Sequence, residues 1–217
     1  MAFKNFKTET DDDGIVLVTW DTPGRSMNVL DETSVTELEA IIKQTSEDAA
    51  VKGVVITSGK EALCAGADLS MLEGMANTYA GMLKDKGEVA ANQMLFDESR
   101  KLSLVFRGIE TCGKPWAAAI NGLALGGAFE LTLACHYRVA SDNPKIRVGL
   151  PEVKVGLFPG AGGTQRVSRI VAPQDAMQLL LKGDAIDAAK AKALKLIDAV
   201  VPAADLIKAA KEWIKGG

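Results

Sequence analysis

Apolar residues cluster in short runs that alternate with longer stretches of helical periodicity. GIVLVTWD (14–21) is rich in β-formers and is closed by the turn signal Thr22-Pro23-Gly24, so it is predicted to be a strand. VKGVVITSG (51–59) is nearly continuous in apolar residues, the pattern of a strand buried on both faces. WAAAING (116–122) and YRVAS (137–141) read as further strands. Between the first two lies LDETSVTELEAIIKQTSED (30–48), with apolar residues at helical spacing, acids in the first turn and Asp31 placed to cap it. Strands alternating with helices predict an α/β fold rather than a sandwich or a helix bundle.

Two regions are less regular. Residues 71–110 are Met-rich and mixed in charge without strand signals; the second half is predicted as an amphipathic helix and the first half as mobile. Met adapts to irregular apolar surroundings, although core filling is the plainer use of each one. From Gln174 onward the chain is rich in Ala, Leu and Lys, and either Asp184 or Asp187 is placed to cap a short helix. No repeat and no low-complexity linker divides the chain.

Composition narrows the function classes. The 217 residues are 47% hydrophobic and 24% charged, enough apolar material for one sizeable core. A net charge of −3 with no basic run argues against nucleic acid and anionic membranes as partners. The opening MAFKNFKTETDDDG lacks the apolar core of a signal peptide, and no apolar run reaches bilayer length. Cys64, Cys112 and Cys135 form no CxxC, which points to a reducing cytoplasm and against a disulfide framework or zinc. With His136 as the single histidine, a histidine metal centre or a Ser-His-Asp triad is not expected; His136 and the cysteines read as structural.

Three glycine-bearing stretches, SGKEALCAGAD, NGLALGGAFE and FPGAGGTQR, invite a nucleotide reading. None fits GxxxxGK[ST] or GxGxxG between a strand and a helix, so nicotinamide binding is not expected. A different use of glycine fits LALGGAFELTLAC. Gly126 and Gly127 precede a segment of helical character, and the first amides of a helix lack internal partners and sit at its positive end. A glycine there leaves its N–H open to a ligand oxygen, as in one half of an oxyanion hole; taken alone, the pair reads rather as a tight turn with close packing. A second open amide fits ALCAGADLS, around Gly66 and Ala67. Glu130, embedded among Phe129, Leu131 and Leu133, must be paired, neutral or functional.

RSMNVL (25–30), LCAGADLSML (63–72), AAINGLALGGAFELTLACHYRVA (118–140) and LPEVKVGLFPGAGGTQR (150–166) together resemble the crotonase (enoyl-CoA hydratase/isomerase) superfamily over essentially the whole chain. The wording is most similar to the N-terminal hydratase/isomerase part of bifunctional β-oxidation enzymes, where a 3-hydroxyacyl-CoA dehydrogenase follows. The resemblance implies an α/β, crotonase-like spiral of ββα units with helices packed around the sheets. It implies a core over 1–200, with 201–217 as the start of a C-terminal helix that stops before any trimerisation region or dehydrogenase domain.

Carried over residue by residue, the resemblance places the oxyanion-hole amides on Ala67 and Gly127 and the catalytic acids on Glu130 and Glu152. Gly160 and Pro151 fall where water and substrate are positioned. Ser26, Met27, Ala65 and Asp68 match the CoA-binding neighbourhood, with Arg25 and Lys60 as candidates for its phosphates because Ser70 stands at an often basic position. The implied reaction is syn addition of water to a 2-trans-enoyl-CoA, with 3-enoyl/2-enoyl isomerisation as a second activity. CoA is then part of the substrate, and neither metal nor NAD is a cofactor. The implied partners are an acyl-CoA thioester and a family trimer or a continuing dehydrogenase. Another thioester-enolate reaction and a non-catalytic acyl-CoA-binding domain stay open as alternatives.

Overall fold

The computed structural model describes residues 3–64, 66 and 69–216, without the side chains of residues 69, 70 and 72. Its strands are β1 (Phe6–Thr10), β2 (Ile15–Trp20), β3 (Gly53–Ser58), β4 (Trp116–Ile120), β5 (Ala124–Leu125), β6 (Tyr137–Ser141), β7 (Val148–Gly149) and β8 (Ala199–Val201). Six of them form one sheet in the order β1-β2-β3-β4-β6-β8, and β5 pairs with β7 in a second, two-stranded sheet. Among these strand pairs of the described residues, β1–β2 is antiparallel and the others are parallel. Parallel strands need crossovers, and helices supply them.

The helices are α1 (Glu32–Glu47), α2 (Leu69–Lys86), α3 (Glu88–Thr111), α4 (Gly127–Ala134), α5 (Gly163–Ile170), α6 (Pro173–Lys182), α7 (Ala188–Ala193) and α8 (Leu206–Gly216). None of the described residues forms a helix long and apolar enough to cross a membrane. Side chains alternate across a strand, and the two faces of the sheet feed two cores. Val54, Ile56, Trp116, Ala118 and Ile120 join the larger core with α1, α3 and α4. Val55, Ala117, Ala119 and Val139 meet Leu206, Ala210 and Ile214 of α8 on the opposite face. The expected C-terminal helix therefore belongs to the same fold as the sheet it covers.

All six residues of β3 and all five of β4 are buried, as their unbroken apolar runs predict. Asp31 caps α1: its carboxylate accepts from Ser34 N at 2.8 Å while Ser34 Oγ accepts from Asp31 N at 2.9 Å. Asp187, not Asp184, caps α7, accepting from Lys190 N at 2.8 Å. Two elements differ from the sequence reading. β1 is an edge strand with only Phe6 buried, which stacks on Trp20 at 5.3 Å, so no apolar alternation announces it. Residues expected to be mobile form α2, which turns back along α3 through Gly87 at φ 84°. Tyr79 Oη donates to Asn92 Oδ1 at 2.9 Å across that hairpin. Met, Leu, Ala and Lys favour helix even without a clean apolar stripe.

Candidate active site

The small sheet brings three loops together. Ala124 is bridged to Cys64, and Leu125 N–H donates to Cys64 O at 3.3 Å, so the chain at Cys64 runs beside β5. Gly126 N–H then donates to Gly149 O at 2.9 Å, which ties the start of α4 to the end of β7. Gly126 adopts φ 57° and ψ −133°, a conformation open to glycine alone, and it turns the chain sharply into α4. A Cβ on Gly126 would stand 3.8 Å from Gly66 Cα and 3.4 Å from Glu152 Oε1. The two glycine loops thus converge, and Glu152 approaches the same point from the segment after β7.

Gly127 opens α4, and none of the described residues accepts its N–H. A Cβ there would come within 2.6 Å of Leu30 Cδ1, so a side chain would force the helix start or Leu30 to move. Glu130 follows one turn later on a helix whose eight residues are all buried. Its side chain is not orphaned: Oε1 accepts from Ala161 N at 2.8 Å and from Gly163 N at 2.7 Å. Oε2 lies 4.0 Å from where a Cβ on Gly127 would stand. Since both amides occupy Oε1, a proton on this group belongs on Oε2.

Glu152 sits in a short 3₁₀ turn, Pro151–Val155, with Pro151 at its first position. The fixed φ of proline suits that position and sets Glu152 next to the glycine pair. Glu152 Oε2 is buried without a hydrogen-bond partner among the described residues. Burial pushes Glu130 up to about 7, against the Gly163 and Ala161 amides and Arg166, and the nearby Glu152 charge pushes it further the same way. Burial also raises Glu152 above the usual carboxylate range. The Glu152 charge thus disfavours ionisation of Glu130.

Other expected residues fall around this centre. Gly160 is exposed in the turn just before Ala161, and its N–H enters no hydrogen bond with a described residue. Arg25, Ser26 and Met27 form an exposed turn. That turn is fastened to the glycine loop through Leu30 N–H, which donates to Gly66 O at 3.0 Å. Ala65, Ala67 and Asp68 lie outside the described residues. Lys60 pairs with Asp21 at 2.8 Å, so its ammonium is already committed and is a poor phosphate ligand. His136 is structural, its Nδ1 accepting from Trp116 N at 3.1 Å. Burial pushes the Cys135 thiol up to about 12, far from a nucleophile.

Sequence reasoning missed Asn28, Ala161, Gly163, Glu110 and Arg166. Asn28 is fully buried and clamps its own turn, accepting from Thr22 N and donating to Trp20 O, Ser58 Oγ and Leu63 O at 2.9–3.0 Å. The signal lay in RSMNVL and PGAGGTQR, but amides that grip a distant side chain leave no mark on periodicity.

Known proteins resemble this chain over nearly its whole length. Residues 10–216 match the family model described as enoyl-CoA hydratase/isomerase. The chain is 41% identical over 211 residues to the fatty acid oxidation complex subunit alpha of Idiomarina loihiensis, covering 96% of this chain and 28% of that protein. It is 40% identical over 215 residues to the subunit of the same name from Shewanella amazonensis, again spanning 28% of its length. Among solved structures, an enoyl-CoA hydratase from Bacillus anthracis superposes with a TM-score of 0.82 at 31% identity, covering 98% of this chain and 76% of that one. Pseudomonas aeruginosa DspI gives 0.80 at 28% identity, covering 98% and 79%.

Proposed function

The chain belongs to the enoyl-CoA hydratase/isomerase family, and from that premise we propose that it adds water across the double bond of a 2-trans-enoyl-CoA. The observation that carries this reading is the pair of carboxyls flanking one glycine turn: Glu130 is 3% exposed with two amides on Oε1, and Glu152 has a buried, unpartnered Oε2. One carboxylate takes a proton from water as its oxygen attacks C3. The other carboxyl, protonated, delivers a proton to C2 of the enolate. Both hydrogens and the oxygen of one water are then accounted for, and the pair returns to a single shared proton.

Charge develops on the thioester oxygen during attack, and the Gly127 N–H at the positive end of α4 suits that oxygen. The resemblance assigns the second amide to Ala67. Gly160, whose amide is open one residue from the turn that grips Glu130, suits the attacking water. The exposed turn at Arg25, Ser26 and Met27 suits the CoA moiety, which enters as part of the substrate. Isomerisation of a 3-enoyl thioester uses the same oxyanion amide and one shuttling carboxyl, so it is proposed as a second activity. The names of the relatives support a place in fatty-acid oxidation.

Following loss of the crotonyl-CoA chromophore tests the proposal. Glu130→Gln and Glu152→Gln each remove a proton carrier without changing side-chain size, and each is expected to lower kcat by about 10²–10⁴-fold. Wild-type turnover in both variants would overturn the assignment.

A further inference from the structure

Arg166 lies in the first turn of α5, and Glu110 lies at the end of α3. Their side chains are only 10% and 26% exposed. The guanidinium uses three donors at once: Nε to Glu110 Oε1 at 2.8 Å, Nη2 to Glu110 Oε2 at 3.1 Å and Nη1 to Ala161 O at 2.8 Å. Glu110 is pushed up by burial, but Arg166 and then Arg107 outweigh it and hold the carboxyl below its usual range. A largely buried ion pair is a weak source of stability, since apolar residues of similar volume often do as well. Its placement calls for another reason.

Three successive peptide groups supply one. The group ending in Ala161 N–H and the group ending in Gly163 N–H both aim at Glu130 Oε1. The group between them points its carbonyl, Ala161 O, the other way, onto Arg166. Gly162 makes the alternation feasible, at φ 101°, and a Cβ there would collide with the guanidinium. We infer that the Arg166–Glu110 pair is a positioning device for the reaction: by anchoring the middle peptide to α3, it keeps the two outer amides on Glu130 and Oε2 turned toward the substrate. The inference rests on reading Glu130 as an acid/base group.

Lysine cannot replace the device, because an ammonium lacks the planar fork that binds a carboxylate and a carbonyl together. The charged groups facing Glu130 among the described residues are Glu152 from the 3₁₀ turn and Arg166 from α5. α3 contributes Glu110, which the guanidinium neutralises, and β5 contributes none. Removing Arg166 takes away a positive charge and loosens two amides, and both changes favour the protonated form of Glu130.

The test measures crotonyl-CoA hydration against pH for the wild type, Arg166→Met, Arg166→Lys and Glu130→Gln. Arg166→Met is expected to lower kcat by about 10²-fold while KM stays within about twofold. The acid limb of its pH profile is expected to move up by about one unit. Arg166→Lys keeps the charge without the fork, so it is expected to lower kcat about tenfold and to move the limb up by less than Arg166→Met does. A folded Arg166→Met with wild-type kcat and pH profile, altered only in melting temperature, would overturn the inference and leave the hydratase reading intact. If Arg166→Met does not fold, Arg166→Lys decides, and wild-type kcat there overturns it. A wild type without turnover, or an active Glu130→Gln, overturns the hydratase reading and this inference with it.

Discussion

A carboxyl group buried among Phe129, Leu131 and Leu133 costs free energy in its charged form, and the two amides on Oε1 repay only part of it. The remainder is visible as a displacement from 4.5 to about 7, and it has a consequence for stability. In this range the native state holds a proton that the unfolded chain has released, so stability is full below about pH 4.5 and declines as pH rises to about 7. The displacement corresponds to ~3 kcal/mol at most. Glu130→Gln removes the titration while keeping an acceptor for both amides. Urea unfolding midpoints of the two proteins are therefore expected to lie close together near pH 4.5 and to diverge as pH rises, with the variant the more stable above pH 7. Parallel curves from pH 4.5 to 8 would mean that Glu130 is not held in this strained protonation state. The proposed acid/base group thus works against the fold that houses it, a common feature of functional sites.

At the scale of elements, the sheet separates the proposed site from α8. α4 packs into the larger core, whereas α8 covers the opposite face through Leu206, Ala210 and Ile214. Gly53 permits that contact, since a Cβ there would come within 2.5 Å of Ile214 Cγ2. Ile214→Ala is expected to lower stability by about 2–3 kcal/mol, near the lower end for a buried aliphatic truncation because the site is at a helix end. Its kcat per folded molecule is expected to stay at the wild-type value; chemical denaturation with parallel steady-state kinetics checks both. A loss of kcat would show that the two faces are mechanically coupled. The legibility of elements follows the same physics. β3, β4 and α1 were readable because burial or capping leaves a local pattern: continuous apolar runs, or Asp31 three residues before Ser34. β1 is an edge strand held mainly by backbone pairing, and α2 has interior glycines and no clean stripe, so neither leaves one. Within the site, Gly127 and Glu130 stand one turn apart and could be read together. Their closeness to Gly66, Glu152 and Gly163 depends on parallel pairing across long separations, which no local pattern encodes.

For the molecule as a whole, charge sets a further requirement. A net charge of −3 offers no long-range attraction to a CoA thioester, whose phosphates are anionic. Affinity for that portion must come from cations placed locally, and one candidate, Lys60, is committed to Asp21. Arg25 stands in the exposed turn that Leu30 and Asn28 fasten to the glycine loops, so its position is set by the same bonds that build the site. Arg25→Gln is expected to raise KM for crotonyl-CoA by about two- to fivefold, the range for one solvent-exposed charge interaction, and to leave kcat unchanged. The effect is electrostatic and exposed, so it is expected to shrink as ionic strength rises from about 20 mM to about 0.5 M. Crotonyl-pantetheine carries the same acyl group without the nucleotide phosphates. With that substrate the variant and the wild type are expected to have equal KM at every salt concentration. An equal KM increase for both substrates would assign the turn to pantetheine or acyl contacts instead. No increase with either would remove Arg25 from the binding surface and leave phosphate recognition to other cations.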